Sequence, residues 1–458
     1  MKSNKKVKIV GLIIVFFFPS LYFSIKFTDF PLGINNDDIW NKDITPISSA
    51  TKDVLYEWNR SWGGIDYDYG QGVAVDSSGN VFCVGYTASF GAGSFDLILV
   101  KYNGMGVQQW NRTWGGVNSD YCDAVAVDSS GNVYCGGSTH SFGAGSTDIL
   151  LVKYDGNGVQ QWNRTWGGVD DDRSYGVAVD SSGNVYCAGV TSSFGAESSD
   201  IVVIKYDGNG VKQWNRTWGG ADADYGNGVA VDSLGNVYCG GFTSSFGAGS
   251  DDIVVVKYNG MGVQQWNRTW GGADADYDQG VTVDSLGNVY LAGNTYSFGA
   301  GSSDIVVVKY DGNGVQQWNR TWGGVNIDSG EGLVVDSSGN VYLGGYTYSF
   351  GVGTIDMVLV NYNEDGIQQW NCTWGGGDVD GCLGIAMDSK GNVYLEGSTY
   401  SYGEGNADIA LVKYKYLGGY PYNGGTIIII TTIIVVSMVS GMGVCIALIL
   451  LIRKRRKA

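Results

Sequence analysis

The phrase WNRTWGG at residues 110–116 decides the fold of this chain, because close copies of it recur along most of the sequence. Each copy opens with a tryptophan, and successive openings are 52 residues apart without exception. A constant period of this length, built of short alternating segments and Gly-rich turns, predicts one four-stranded β-sheet per repeat, arranged radially. The seven opening tryptophans are Trp58, Trp110, Trp162, Trp214, Trp266, Trp318 and Trp370.

Four segments of the first complete repeat alternate as β-strands do. The segments GVAVD (72–76) and VFCVGYT (81–87) flank one Gly-containing turn, and DLILVKY (96–102) and VQQWNRTW (107–114) flank another. Glycine supplies the positive φ that tight hairpins require. We call the predicted strands A, B, C and D, from the inside of the blade to the outside.

The last repeat lacks a D strand, since its C strand ends near Tyr414. A spare D-like segment, VLYEWNRSW at residues 54–62, precedes the first A strand. Beside residues 408–414 it would complete the last blade and leave no unpaired edge where the ring closes. We therefore expect an all-β, seven-bladed β-propeller over residues 53–416. An open solenoid and two half rings are the alternatives.

The hairpin VDSSGNVYCGG, followed by SFGAGSTDILLVKYDGNG, resembles the β-propeller repeat known as SBBP, and its DxxGNxY pattern is similar to that of NHL-type propellers. The resemblance covers nearly all of residues 54–414. It implies a propeller scaffold without a common set of catalytic residues. The repeats lack the Gly-His and Trp-Asp pairs of WD40 blades, and one histidine, His140, cannot supply the repeated histidines of RCC1-like blades.

The two ends of the chain differ from the repeats in charge and hydropathy. Lysines before an apolar run at residues 9–18 are typical of a signal peptide or a retained signal anchor. Residues 427–452 carry no charge and run into RKRRK, which predicts a transmembrane helix; a buried core helix is the alternative. The predicted boundaries are 1–28 for the signal segment, 29–52 and 417–426 for linkers, 427–452 for the helix and 453–458 for a basic cytoplasmic tail.

The segment between these ends is strongly acidic. Residues 29–420 contain all 45 acidic residues and 18 of the 28 basic ones, a net charge of −27. Such a surface repels nucleic acid and anionic lipid. Because basic flanks stay in the cytoplasm, we expect an extracellular propeller on the cell membrane, with a protein or glycan ligand and no nucleic acid partner.

The most varied part of the repeat joins strand D to the next strand A, whereas the A–B and C–D turns, DSSGN and DGNG, hardly vary. In a propeller the D–A and B–C loops share one face, around the mouth of the central channel. Binding residues commonly lie on loops that a rigid frame positions. We therefore place the binding surface on this D–A/B–C face.

One aspartate recurs in every varied segment. A ring of carboxylates at the mouth could hold calcium or attract a cationic partner, because hard cations need several oxygen ligands. The alternative, which we favour, is that each carboxylate accepts hydrogen bonds from its own loop backbone, so that no cofactor is required. The seven are Asp68, Asp120, Asp172, Asp224, Asp276, Asp328 and Asp380.

Strand D carries an Asn-x-Ser/Thr sequon in every copy. On an outer strand of an exported protein these asparagines could carry N-glycans, or they could be the by-product of one packing motif copied seven times. Cys372 and Cys382 could form a disulfide across one D–A loop outside the cell. The seven asparagines are Asn59, Asn111, Asn163, Asn215, Asn267, Asn319 and Asn371.

Two classes of function fit these features. We favour a membrane-anchored binding scaffold for protein, glycan or envelope material, without catalytic residues. The alternative is a propeller enzyme of the quinoprotein or lyase kind, since the turn DGNGVQQW resembles the tryptophan docking turn of quinoproteins, one residue shorter. A single histidine and the lack of clustered basic residues for a cofactor disfavour the enzyme. A purely structural envelope protein is a third reading.

Overall fold

The computed structural model describes residues 54–416, 428–436 and 446–454. The described residues fall into two units, residues 54–416 in one and residues 428–436 with 446–454 in the other. The first unit contains seven antiparallel sheets of four strands each. The predicted seven-bladed, all-β propeller is therefore confirmed.

Blades 1 to 6 each consist of four consecutive strands in sequence order. Blade 1 contains β2 (Asp68–Val75), β3 (Val81–Thr87), β4 (Asp96–Tyr102) and β5 (Gln108–Trp114); blade 2 contains β6 (Asp120–Val127), β7 (Val133–Thr139), β8 (Asp148–Tyr154) and β9 (Gln160–Trp166); blade 3 contains β10 (Asp172–Val179), β11 (Val185–Thr191), β12 (Asp200–Tyr206) and β13 (Lys212–Trp218). Blade 4 contains β14 (Asp224–Val231), β15 (Val237–Thr243), β16 (Asp252–Tyr258) and β17 (Gln264–Trp270); blade 5 contains β18 (Asp276–Val283), β19 (Val289–Thr295), β20 (Asp304–Tyr310) and β21 (Gln316–Trp322); blade 6 contains β22 (Asp328–Val335), β23 (Val341–Thr347), β24 (Asp356–Tyr362) and β25 (Gln368–Trp374).

Blade 7 is completed by the N-terminal strand, as the sequence predicts. Its strands are β26 (Asp380–Met387), β27 (Val393–Thr399), β28 (Asp408–Tyr416) and, outermost, β1 (Val54–Trp62). Strands β1 and β28 pair antiparallel, with Ser61 opposite Ala410 and Trp62 opposite Ile409. The ring therefore closes through backbone hydrogen bonds between the two ends of the propeller.

The C strands form the centre of each blade. In β4 the consecutive residues Leu97, Ile98, Leu99 and Val100 are all fully buried. An unbroken apolar run is what a strand needs when neighbouring blades cover both of its faces. The core is therefore a ring of clusters, each built from two adjacent blades.

Long cationic side chains link every blade except blade 6 to the next. In blade 1, Arg112 Nε donates a hydrogen bond to Gly158 O (2.8 Å), and Lys101 Nζ donates to Gly156 O (2.8 Å), both in the C–D turn of blade 2. The guanidinium also lies 5.2 Å from the Trp110 ring centroid, as a cation–π pair. Hydrogen bonds from charged donors contribute about 1.5–3 kcal/mol each.

Blade 6 lacks this link because of the way in which the ring of blades closes. Strands β28 and β1 are not consecutive, so blade 7 has no C–D turn to accept it. At the two positions concerned, blade 6 has Asn361 and Cys372 in place of lysine and arginine. The link is present again between blades 7 and 1, a junction that we call the seam. Here Arg60 Nε of β1 donates to Gly106 O (2.7 Å), and Lys413 Nζ of β28 donates to Gly104 O (2.9 Å).

In the second unit, β29 (Ile428–Val436) pairs antiparallel with β30 (Ile446–Lys454). These strands lie where the sequence predicts one transmembrane helix, which is therefore not confirmed. The run is rich in Ile, Val and Thr, whose β-branched side chains favour extended backbone. The predicted signal segment, both linkers and the tail residues 455–458 lie outside the described residues, as do residues 437–445.

Within the described residues, no helix is both long enough and apolar enough to cross a membrane.

Deleting residues 54–62 from the full chain should expose the edge of β28 and remove the Arg60 link to blade 1. We expect loss of a single cooperative unfolding transition in calorimetry, together with aggregation, because an unpaired outer edge recruits other chains. A synthetic peptide of sequence VLYEWNRSW should restore the transition. Unchanged thermal unfolding of the deletion variant would contradict this closure.

Candidate functional site

The seven inner strands enclose a central channel of about 190 Å³, lined by three consecutive residues from each blade. A β-bulge near the middle of each inner strand, such as the register shift between Gly70 and Gly72, leaves one residue unpaired, and of the three lining residues this one is nearest the D–A loop. We call these seven residues the mouth ring. They are Gln71, Asp123, Tyr175, Asn227, Gln279, Glu331 and Leu383.

Below the mouth ring the inner strands approach one another by their backbones. The residue after each mouth-ring residue is glycine in six blades and alanine in blade 2. A Cβ at Gly176 would lie 2.9 Å from Val229 N, and a Cβ at Gly384 would lie 2.9 Å from Gly72 Cα. Larger residues would therefore push the blades apart, which leaves the mouth ring as the level at which side chains can vary.

Two carboxyl groups of the mouth ring titrate near neutral pH. Burial raises the pKa of Asp123 to about 7, and the nearby Arg173 opposes part of this rise. Burial likewise raises the pKa of Glu331 to about 7, although Ser329 Oγ donates a hydrogen bond to Glu331 Oε1 (2.7 Å). The charge of the mouth ring therefore changes around pH 7.

Aromatic side chains surround the mouth ring. Tyr86 packs edge-on against Tyr121, with ring centroids 4.9 Å apart, and its centroid is 5.2 Å from that of Tyr69. Over blade 5, an open groove of about 490 Å³ is lined by Asp274, Ala275, Tyr277, Tyr296 and Ser302, and we call it the blade-5 groove. The D–A/B–C face thus offers a polar channel beside an aromatic groove.

The seven recurrent aspartates are not loop residues at the mouth, which corrects the expected placement. Each is the first residue of an inner strand, because these strands begin four residues earlier than the sequence indicated. Each is also fully buried. Asp68 Oδ2 accepts hydrogen bonds from Gly64 N (2.7 Å) and Ser89 Oγ (2.7 Å), and Oδ1 accepts one from Thr87 Oγ1. The carboxylate thus fastens the D–A loop to its blade.

No group of three or more His, Cys, Asp or Glu side chains in the described part of the chain could hold a metal ion. Calcium binding stays a prediction. A calcium-dependent rise in Tm that Asp276→Asn removes would demonstrate it, since a ligand that binds only the folded state stabilises by mass action.

The sequon asparagines lie on the outer strands, where Asn111, Asn163 and Asn319 are exposed. Their glycosylation stays a prediction, which the intact mass of the exported protein would test. Cys372 and Cys382 are free thiols in the structure. Cys372 on the outer strand of blade 6 hydrogen-bonds Tyr414, and the expected disulfide is not confirmed.

The sequence analysis did not show that two acids are buried between blades. Asp278 and Glu396 are fully buried; the Glu396 carboxyl oxygens have no hydrogen-bond partner, and the backbone of Ala292 and Gly280 offsets only part of the desolvation of Asp278. Each occupies space that a glycine in the adjacent blade leaves free, because a Cβ at Gly240 would overlap Asp278 and a Cβ at Gly70 would overlap Glu396. The sequence shows each glycine but not the residue that faces it in the adjacent blade, so it could not reveal either buried acid.

Comparison with known proteins identifies the repeat. Residues 62–90, 113–143, 166–195, 213–247 and 265–299 match the family model described as SBBP, beta-propeller repeat. These five segments are therefore similar to the SBBP β-propeller repeat. A stretch of 114 residues is 31% identical to Regulatory protein FlaEY of Caulobacter vibrioides and covers 22% of this chain but only 12% of that protein.

Similar solved structures are more distant. Polysaccharide lyase Uly1 is 10% identical with a TM-score of 0.46, covering 78% of this chain and 91% of that one. A protein of unknown function from Dyadobacter fermentans is 12% identical with a TM-score of 0.45, covering 79% and 99%. The Pan2 WD40 domain of Neurospora crassa is 9% identical with a TM-score of 0.44, covering 81% and 97%. At these values they carry no information about function.

Glu396 makes the interface between blades 7 and 1 less stable as the pH rises. Burial raises the pKa of Glu396 well above its usual value near 4.3. The folded protein therefore holds a proton that the unfolded chain releases, and stability falls by about 1.4 kcal/mol per pH unit as pH rises from about 4.3 towards the folded-state pKa. The titratable groups that face it are Cys83, Tyr102 and Cys382.

Glu396→Gln should consequently raise Tm at pH 9 and change it little at pH 4, because glutamine keeps the shape without the ionisation. Differential scanning calorimetry across this range measures the effect. Asp278→Asn, at the interface of blades 4 and 5, should behave alike and serves as a comparison. Equal slopes of Tm against pH for wild type and Glu396→Gln would contradict the assignment.

Proposed function

We propose that this protein is a binding scaffold that takes its ligand on the D–A/B–C face, at the mouth ring. The observation that carries the proposal is the variation among repeats. Seven copies with almost the same strands and opposite-face turns supply six different residue types to the mouth ring. Packing alone would be served by one residue type, so the variation indicates a role in contacting something other than the neighbouring blades.

The chemistry of the mouth ring suits binding without a cofactor. Asn227 and Gln279 offer amide groups that both donate and accept hydrogen bonds, and Asp123 and Glu331 add acceptors. The single histidine of the chain, His140, is engaged in its own loops, with Nδ1 3.1 Å from Ser119 O and Nε2 3.1 Å from Thr147 Oγ1. These contacts support a binding role over general acid–base catalysis by an imidazole.

We also propose that the propeller lies outside the cell and is anchored to the membrane. The support is the sequence pattern alone: lysines before an apolar N-terminal run, and an uncharged stretch at 427–452 followed by RKRRK. Protease added to intact cells should release the propeller and leave residues 453–458 protected. Resistance of the propeller until the cells are lysed would contradict this location.

The binding proposal is tested with variants of the two faces. The mouth-ring variant is the full chain carrying Gln71→Ala, Asp123→Asn and Glu331→Gln. From an extract of the cells that produce the protein, it should retain about one tenth or less of the material that wild type retains, measured by mass spectrometry and sugar analysis. The matched control carries Leu234→Ser and Leu286→Ser in two exposed A–B turns of the opposite face, where four other copies have serine. Equal retention by the mouth variant and wild type would contradict the proposal.

A further inference from the structure

The blade-5 groove contains a pair of tyrosines that no other blade has. Tyr277 begins the inner strand after Asp276, and Tyr296 follows strand β19. At the same two positions blade 6 has Ser329 and Tyr348, and each of the other blades lacks at least one of the two tyrosines. The two rings of blade 5 are perpendicular, with centroids 6.3 Å apart. The groove therefore has two aromatic walls at a right angle.

The Tyr277 side chain is held in place by its neighbours, whereas the Tyr296 side chain is open to solvent. The Tyr277 hydroxyl donates a hydrogen bond to Asp251 Oδ2 (3.0 Å), and its ring packs edge-on against Phe242 at 4.9 Å. Tyr296 remains 44% exposed, while its backbone N donates to Ala275 O (3.0 Å). The position of the Tyr277 ring is thus set before any ligand arrives, which reduces the entropy lost on binding.

The polar groups of the groove limit the ligand class. Asp274 and Ser302 are exposed beside the two tyrosines, and none of the groove's lining residues is basic. A carboxylate without a cation beside it repels phosphate and carboxylate ligands. The volume of about 490 Å³ lies in the range of small-molecule sites, roughly 300–1,000 Å³.

The groove adjoins the mouth ring along one strand. Gln279 of the mouth ring follows Tyr277 by two residues on β18, and Asn227 Nδ2 lies 3.4 Å from Gln279 Oε1. These amide groups both donate and accept hydrogen bonds, so they match the hydroxyl groups of a ligand, which also do both. An ammonium group of a cationic ligand could only donate. Arg173, which lies beside Asp123 at the same mouth, would further oppose a cation.

We propose that the blade-5 groove binds one ring of a neutral, hydroxyl-rich glycan, whose chain continues towards the mouth ring. The apolar C–H face of the sugar stacks on Tyr296, and its hydroxyls bond Asp274 and Ser302. This inference rests on the proposed binding role of the D–A/B–C face and names its ligand class.

The test is a glycan array of neutral and anionic oligosaccharides probed with the labelled full chain, together with a lysine-rich peptide. Wild type should bind neutral glycans, and Tyr296→Ala should weaken that binding by at least about tenfold. Tyr348→Ala is the matched control, because it removes the equivalent exposed tyrosine of blade 6, and it should bind as wild type does. Equal Tm values for both variants and wild type show that folding is intact.

Three outcomes would overturn the inference: wild type binds no neutral glycan, wild type binds the lysine-rich peptide instead, or Tyr296→Ala binds as tightly as wild type. Failure of the wider binding role is distinguished by the mouth-ring variant. Suppose that no glycan on the array is bound, but the mouth-ring variant still retains less material from the cell extract than wild type does. The D–A/B–C face then binds a ligand of another class, and only the assignment of a glycan ligand is wrong.

Discussion

The pairing of β1 with β28 is the constraint on which the rest of this structure depends. It brings Trp58 and Trp62 against a cluster that includes Ile98 of blade 1 and Ile409 of blade 7, so the first and last blades share one core. A ring closed in this way fixes the position of every inner strand around the axis. The central channel is enclosed because this one strand closes the ring of seven blades.

Much of this architecture is readable from the sequence. The spacing of Trp58 and its six successors predicted the blades, and the missing outer strand after residue 414 predicted the closure. Asn361 and Cys372 carried a further signal of the seam, since they replace lysine and arginine where blade 7 offers no turn. That signal could be interpreted only once the partner of each arginine was known to be in the next blade.

The features that escaped prediction depend on contacts between blades. The bulge between Gly70 and Gly72 interrupts the alternation of the inner strand, so Asp68 was taken for a loop residue at the mouth. Glu396 faces Gly70, which is separated from it by most of the propeller sequence, and no local pattern connects the two. The Ile- and Val-rich C-terminal run fits a helix by its length and the basic residues after it, and strands by its β-branched side chains, so the predicted helix is unconfirmed.

The repeat thus separates two tasks: identical residues hold the ring, and varied residues form one face. Hydrogen–deuterium exchange of the full chain, with and without the material that it retains from the cell extract, tests this division most directly. The account predicts slowed exchange at residues 65–71 and their equivalents, where the D–A loops enter the inner strands. Slowed exchange confined to the A–B and C–D turns of the opposite face would contradict it.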